Sequence, residues 1–570
     1  MANCPNCNAP LEDDARFCAN CGAAIPEEAP APAPQEPESV SETIFCPNCG
    51  GQTNAAFEYC EHCGAALNAP GGQKTNKSGG PGLKKWLILG AGVVAVAAVI
   101  IVLVSIFSGG GGGGKGYGLY IKDKEIFYSN LSPKGAWQLT SKLSEDASNA
   151  ALASGRSTIS SLVVMSRDGK TLFFPDKLDS GYTLYWRNTS GKKEATKIDS
   201  DITRYAVNDS ASLVTYLKNG NLYQYNVSRD DKGNKLAGDV TIFYVSDDGK
   251  RIIFRDEDDT LYQIDSGKDK ESLDKDVSGI QRVSDDCKTV IYTKDGTLYL
   301  KQSGKDKVKI SSDVRETIRA YPTGEVYYTE EDDGEVTLYY FNGKDSVEIE
   351  EEYEGSSGSS SETPMLVYRA DDEYWLAVGD KTSALDAEEP SGFTFSTDGK
   401  SVWYVDEPDD GEGELYQVTV SGGTVKKTDK VDDDVYASEI GYASSGHLVY
   451  FKDVSNGEGE LYVDGKKVDD DVYLGFRRWS ESGALLYYVD YSSSKGYGTL
   501  KQYSGGKSVK VEDDVVQPTY APNGSVLYLA DYNDSRARGD LYVFSGSKST
   551  KLDEDVAAII PISTGKYRSF

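Results

Sequence analysis

From about residue 160 onward, apolar and polar positions alternate in short runs broken by turn residues. Residues 237–273 read AGDVTIFYVSDDGKRIIFRDEDDTLYQIDSGKDKESL. A strand (VTIFYV) meets the turn SDDGK. A second strand (RIIF) meets RDEDD, a third (LYQID) meets SGKDK, and a short fourth follows. Alternation with period two between Asp-, Gly- and Lys-rich turns is the signature of antiparallel strands, and no helical period competes with it.

The pattern repeats. The Leu of a Leu-Tyr dipeptide, or its equivalent, recurs at Leu184, Leu222, Leu261, Leu298, Leu338, Leu376 (in EYWLAV), Leu415, Leu461, Leu500 (in GTLKQY) and Leu541, 37 to 46 residues apart. Leu119-Tyr120 reads as an eleventh, more distant copy. Four short strands in about 40 residues make one propeller blade, so the region is expected to be all-β, with ten to eleven blade-like units. That number exceeds a usual ring, and the unit beginning EEEYEGSSGSSSETP (350–364) is degenerate, as a long surface loop or an interdomain joint would be. The preferred expectation is two propellers, 117–349 and 350–570. Strands at 117–140 and 553–563 offer the alternative of one larger ring, closed between the two ends of the region.

A different pattern occupies residues 84–107, KKWLILGAGVVAVAAVIIVLVSIF. No charge falls between Trp86 and Phe107. At about 1.5 Å per residue this run spans the hydrocarbon core of a bilayer, and in lipid a lone segment satisfies its backbone only as a helix. Lys74, Lys77, Lys84 and Lys85 precede it, and the uncharged tract Gly109–Gly114 follows. The positive-inside rule then predicts a single-pass membrane protein with a cytoplasmic N-terminus and an extracellular C-terminal region. The Gly tract (within 108–116) reads as a flexible tether.

Cysteine usage sharpens this picture. Eight of the nine cysteines precede the span. They fall as Cys4-x2-Cys7 and Cys18-x2-Cys21, then Cys46-x2-Cys49 and Cys60-x2-Cys63, with ten residues inside each cluster between its two CxxC pairs. Two CxxC knuckles complete a tetrahedral Cys4 site, and zinc suits four thiolates. Four ligands leave no open position, so two structural zinc ions are expected in two ribbons, 1–25 and 44–67. His62 reads as a loop residue beside a filled site. Phe17 and Phe45 either cover the metal sulfurs or form the small core of such a domain. A Pro/Ala/Glu-rich linker (26–43) and a second flexible linker (68–83) flank the second ribbon.

Two resemblances follow from these residues. The pattern CPxCG…FCxxCG over residues 1–67 resembles the short zinc-ribbon modules of bacterial and archaeal membrane proteins, with Asn8 standing where a Gly is usual. Such modules are similar to ribbons that bind nucleic acid or proteins. The turn recurring as SRDGK (166–170), SDDGK (246–250) and STDGK (396–400) resembles the SPDGK turn of the TolB-type propeller. That likeness implies a propeller with a ligand-binding or scaffolding role and implies no reaction. At 284–288 the turn reads SDDCK, so Cys287 replaces the glycine, either as a reactive thiol or as tolerated drift.

Charge excludes some partners. The chain carries 60 Lys and Arg against 91 Asp and Glu, a net charge of −31. A surface this anionic repels phosphate backbones, so no nucleic-acid partner is expected and the ribbons are expected to dock a cytoplasmic protein. An acid also precedes a β-branched residue at most blade starts: Asp201, Asp239, Asp276, Asp313, Asp434, Asp471, Asp514 and Asp555. These either bond the backbone of the connecting turn or gather cations as a ring of carboxylates.

No catalytic motif is present: no GxSxG, HExxH or Walker loop, and one histidine, His447, C-terminal to the span. The chain is therefore expected not to be an enzyme. The leading reading is a membrane-anchored binding and coupling protein, whose propeller holds a protein, peptide or glycan outside. The alternatives are a passive envelope scaffold and a carboxylate-dependent hydrolase or lyase on a propeller.

Overall fold

The computed structural model describes residues 116–144, 163–166, 168–177, 181–190, 194–229 and 232–561, together with the backbone of Thr43–Phe45 and Gln52–Asn54. The sequence pattern of residues 237–273 becomes four antiparallel strands, Val240–Val245, Arg251–Asp256, Leu261–Asp265 and Glu271–Asp274, paired in that order. The same up-and-down unit recurs along the chain. The C-terminal region is thus all-β, built of four-strand antiparallel sheets that resemble propeller blades. We number them 1 to 11 in chain order and call their strands a to d. Blades 2 and 3, and blades 8 to 11, are joined into wider sheets because one long strand, such as Lys466–Trp479, serves as strand d of one blade and strand a of the next.

Each repeated Leu lies in strand c with its side chain buried, from Leu184 at 0 % exposure to Leu541 at 1 %. Burial of one such side chain contributes roughly 2 kcal/mol. Where a Tyr follows, it faces the other way and stacks on an aromatic residue directly opposite in strand b. Tyr216 pairs with Tyr223, Tyr292 with Tyr299 and Tyr450 with Tyr462, with ring centroids 5.2–5.6 Å apart. Leu119-Tyr120 is not an eleventh copy of the dipeptide. Its strand, Gly118–Lys122, is strand b of blade 1, and Tyr120 pairs with Phe127. The eleventh copy is Ile126-Phe127, disguised because both residues are replaced.

Eleven buried clusters lie among the described residues, and each joins two neighbouring blades. Blades 6 and 7 share Tyr321, Tyr327, Leu366 and Tyr368; blades 7 and 8 share Met365, Val367, Val402 and Tyr404. The last cluster returns to the start: Leu527, Leu529 and Leu541 of blade 11 pack with Tyr120 and Ile559 of blade 1. Blade 1 takes its strand a from the far end of the region, Ala558–Ile560, which pairs antiparallel to Gly118–Lys122.

The blades therefore form one closed circuit, and the expected division into two propellers near residue 350 is corrected. Residues 106–570 fall in one compact unit, with the core running unbroken past that position. The degenerate stretch there is neither loop nor joint but Tyr353–Ser359, strand a of blade 7. Its small residues have a physical reason. A Cβ on Gly358 would lie 2.9 Å from the Phe393 side chain of the next blade.

The segment 84–107 lies outside the described residues. Among the described residues no helix is long and apolar enough to cross a membrane.

Candidate functional site: blade junctions, strand-end faces and the ribbon segment

The turns between strands a and b are built by their own side chains. In 246–251 the Ser246 hydroxyl donates to Asp248 (2.8 Å) and accepts the Arg251 amide (2.9 Å), while Asp248 also accepts the Lys250 amide (2.9 Å). Ser166, Ser284 and Ser396 repeat this pattern. The fourth residue of the turn has positive φ, +73° at Gly249, where glycine carries no steric penalty. Cys287 takes φ +54° at the same place. Its side chain is 1 % exposed and packs with Ile253, Val283 and Tyr292. Burial among apolar groups keeps a thiol unreactive, so the drift reading is the one this geometry supports.

The acids at the blade starts are also turn residues. Seven of the eight, all but Asp313, have φ between +49° and +60°. Each is exposed, and the Val or Ile after it is buried in all eight but the Asp313 pair, where Val314 is half-buried. An Asp tolerates the left-handed region better than most residues, and here it reverses the chain between strand d and the next strand a. Among the described residues no group of three or more metal-ligating side chains is assembled.

Three residues before five of these Val or Ile residues lies a second acid, an aspartate, with a different task. Asp432, at the end of blade 8, accepts hydrogen bonds from the Tyr450 hydroxyl (2.6 Å) and the Lys452 ammonium (2.9 Å), both on strand b of blade 9. Asp199 is held likewise by Tyr216 and Lys218, and Asp274 by Tyr292 (2.7 Å) with Lys294 and Lys307. Asp469 is held by Tyr487 and Lys501. The same clamp closes the circuit: Asp553 accepts from Tyr120 (2.6 Å) and Lys122 (2.7 Å).

Variation among the junctions is concerted. Where the acid becomes Ala237, the partner is Phe254, which has no hydroxyl to satisfy. Where it becomes Ser311, Glu330 replaces the lysine and accepts the Ser311 hydroxyl. Sequence reasoning missed this junction clamp. Its signal, Asp-x-Asp-Val followed by Tyr-x-Lys, spans 17 or 18 residues and joins two repeats.

At three of these junctions the partners set the proton affinity of the acid. Burial of Asp274 works against its charge, but hydrogen bonds from Lys307 and Tyr292 outweigh it and hold the carboxyl down to about 2. Burial likewise opposes the charges on Asp432 and Asp553, yet their Tyr and Lys partners keep both below the usual carboxylate range. The tyrosines move the other way, since burial and the neighbouring carboxylate push Tyr450 and Tyr120 up.

The two ends of the strands differ in charge. One end carries the a–b and c–d turns, with sequences such as SDDGK and SGKDK. The other carries the b–c turns and the connectors between blades, among them Asp256–Asp259, Glu330–Asp333, Asp432–Asp434 and Asp469–Asp471. Crowding at the acidic end is enough that hydrogen bonding to Asp371 raises the Glu352 carboxyl, and Glu388 does the same to Glu407.

Among the described residues the single histidine, His447, assembles no Ser–His–Asp or Cys–His–Asp triad. His447 Nδ1 lies 2.7 Å from Asp464, and its ring stacks on Trp479. That resembles the base and orienting acid of a triad, but no hydroxyl or thiol hydrogen-bonds the other ring nitrogen.

The predicted zinc ligands Cys4, Cys7, Cys18, Cys21, Cys46, Cys49, Cys60 and Cys63 lie outside the described residues. Nearby, the backbone of Thr43–Phe45 pairs antiparallel with Gln52–Asn54, Phe45 opposite Gln52. In the sequence, Cys46 and Cys49 fall between those two strands. An all-thiolate donor set fits zinc.

Residues 4–68 match the family described as "Double zinc ribbon", which takes in all eight cysteines and implies zinc binding. No curated protein matches the chain. Among solved structures the tricorn protease shares 12 % identity over 79 % of this chain, at a TM-score of 0.27. Dipeptidyl peptidase 4 of Porphyromonas gingivalis shares 12 % over 62 % at 0.34, and a eukaryotic initiation factor 10 % over 70 % at 0.35. The chain spans 54 % and 60 % of the first two proteins and 99 % of the third. Scores of this size carry no argument, and the blade architecture rests on the strand pairing itself.

Proposed function

We propose that this chain is a membrane-anchored binding and coupling protein. The blade circuit, of TolB-like type, lies outside the cell and holds a protein, peptide or glycan. Two zinc ribbons, each with one structural ion on four cysteines, dock a protein partner in the cytoplasm. Nucleic acid is not a partner on this reading, because both sides of the span are net acidic. The observation that carries the proposal is the use of the recurrent chemistry. The repeated Asp, Tyr and Lys side chains are engaged in blade-to-blade junctions, not gathered on one reacting centre. What remains for a partner is broad, repeated loop surface, which suits binding rather than catalysis.

Proximity labelling from each terminus tests it. Specific cytoplasmic neighbours at the N-terminal fusion, lost when Cys46 and Cys49 become Ser, support docking through the ribbons. Bulk cytosol alone at that end reduces the chain to an outer binder. Extracellular labelling from the N-terminal fusion overturns the topology. Metal analysis of the purified chain is expected to find two zinc ions, and one ion would remove a ribbon.

A further inference from the structure

The inner strands differ in charge from the rest of the circuit. The a strands of neighbouring blades approach one another, which makes them the inner ones. Counted in each long shared strand from its buried Val or Ile onward, their described residues include six arginines, Arg204, Arg282, Arg315, Arg319, Arg477 and Arg478, against two glutamates, Glu316 and Glu354, with no Lys and no Asp. In a chain of net charge −31 this is a local reversal. Arg282, Arg319 and Arg478 occupy one equivalent position, two residues before the residue that opens the a–b turn. That position lies toward the end of the strands that carries the SDDGK and SGKDK turns, away from the acidic connectors.

Arg478 is the most revealing of them. Its guanidinium donates from Nη1 to the Thr519 hydroxyl (2.7 Å), on strand a of blade 11. Tyr488 and Tyr520 flank it, and no carboxylate among the described residues lies within ion-pair distance. It is enclosed enough that burial pulls its proton affinity down, yet it keeps some solvent-accessible surface. The neighbouring Arg477 spends one nitrogen on Glu439 and lies 4.9 Å over the Phe451 ring. Its Nη1 is buried without a hydrogen-bond partner. Of the two adjacent guanidiniums, Arg477 has a carboxylate partner and Arg478 has none among the described residues. An enclosed arginine stays charged, and an unneutralised enclosed charge is costly unless a counter-charge completes it.

We propose that Arg478 and Thr519, on the inner strands of blades 10 and 11, bind an oxyanion group of the circuit's ligand. This deepens the binding reading above and rests on it: the external ligand is anionic, bearing carboxylate or phosphate groups. The planar guanidinium fork matches either group in two parallel hydrogen bonds, and the threonine hydroxyl fixes its orientation. The acidic connectors at the opposite end of the strands repel such a ligand, so it enters past the lysine-bearing turns.

Equilibrium dialysis of the full-length chain with labelled inorganic phosphate and labelled acetate, at constant ionic strength, tests the proposal. One saturable site per chain is expected. Phosphate alone saturating it points to a phosphate-bearing ligand, and both anions competing for it points to a carboxylate-bearing one. Arg478→Gln should abolish the site, and Arg478→Lys, which keeps the charge without the fork, should weaken it roughly tenfold. Arg315→Gln, at an arginine already paired with Glu331, should leave it intact. Should Arg478→Gln fail to fold, Arg478→Lys and Thr519→Val still decide. Equal binding in the wild type and these variants, or no saturable binding of either anion, overturns the proposal. Proximity labelling does not depend on ligand charge, so outer neighbours without an anion site sink this inference alone. An anion site without specific outer neighbours sinks the binding reading instead.

Discussion

Blades 8 and 9 meet in the middle of the chain, and blades 11 and 1 meet at its two ends, through nearly the same contacts. In both junctions a buried Leu of strand c lies in the shared core, Leu415 in one and Leu541 in the other. In both an aspartate receives a tyrosine hydroxyl at 2.6 Å and a lysine two residues further on. What differs is the chain between the partners, 18 residues for Asp432 and Tyr450 against 433 for Tyr120 and Asp553. For a flexible chain that ratio costs about 3 kcal/mol more in closure entropy. The end junction has something the middle one lacks: strand Ala558–Ile560 is exchanged into blade 1, adding three residue pairs from Leu119–Ile560 to Ile121–Ala558. The lesson is that the junction, not the blade, is the repeated unit of stability. A junction without chain continuity is made good by sharing a strand.

Removing residues 557–570 should break this comparison most severely. Ala558, Ile559 and Ile560 are at most 1 % exposed, and their loss opens blade 1 on one side. We expect on the order of 5 kcal/mol or loss of the cooperative transition, read by urea unfolding. An unchanged transition would mean the circuit does not need closing. Next in size, Leu415→Ala and Leu541→Ala should each cost about 3 kcal/mol, and equal costs would establish that the two cores pack alike.

Tyr450→Phe and Tyr120→Phe come third, at about 1–2 kcal/mol each, because a carboxylate loses a donor while its lysine remains. A much larger cost at Tyr120 would show that the clamp, rather than the shared strand, carries closure.

Acid should act in the same direction on the clamps at Asp274, Asp432 and Asp553. Asp274 is held at about 2, below its unfolded value near 4, so its contribution is full above about pH 4 and is lost as pH falls toward 2. At 9 % side-chain exposure it is worth on the order of 1–2 kcal/mol. Asp274→Asn should flatten the acid limb of a stability–pH curve by that amount. Smallest of all, Cys287→Gly should stay within about 0.5 kcal/mol of neutral by thermal unfolding, since relief at φ +54° offsets the lost burial.

The repeat itself was legible from the sequence. Its strand order, its turn glycines and the burial of its leucines follow from local alternation and from the positive φ that a tight turn demands. The clamps were not, because each half lies in a different repeat and neither Asp-x-Asp-Val nor Tyr-x-Lys announces a partner alone. Strand Tyr353–Ser359 escaped because contact with the neighbouring blade selects small residues there, which erases the apolar alternation. The number of circuits was ambiguous for a related reason. Closure is a property of two ends 433 residues apart, although Asp553 and Tyr120-x-Lys122 do carry the two halves of the motif. The arginine pair was visible as RRW but unreadable, since only the fold reveals that Arg478 has a threonine where a carboxylate would serve.

The shared strand also sets how the molecule answers to mechanical load. A pull on the chain just ahead of residue 116 reaches Gly118–Lys122 before any other described strand of the blade circuit. Among the first bonds to bear tension are those joining Leu119 to Ile560, at the seam where the circuit closes without covalent continuity. Traction would therefore part that seam before any interior junction, leaving the other blades stacked in line. The seam would thereby act as a mechanical fuse, yielding before the continuous junctions do.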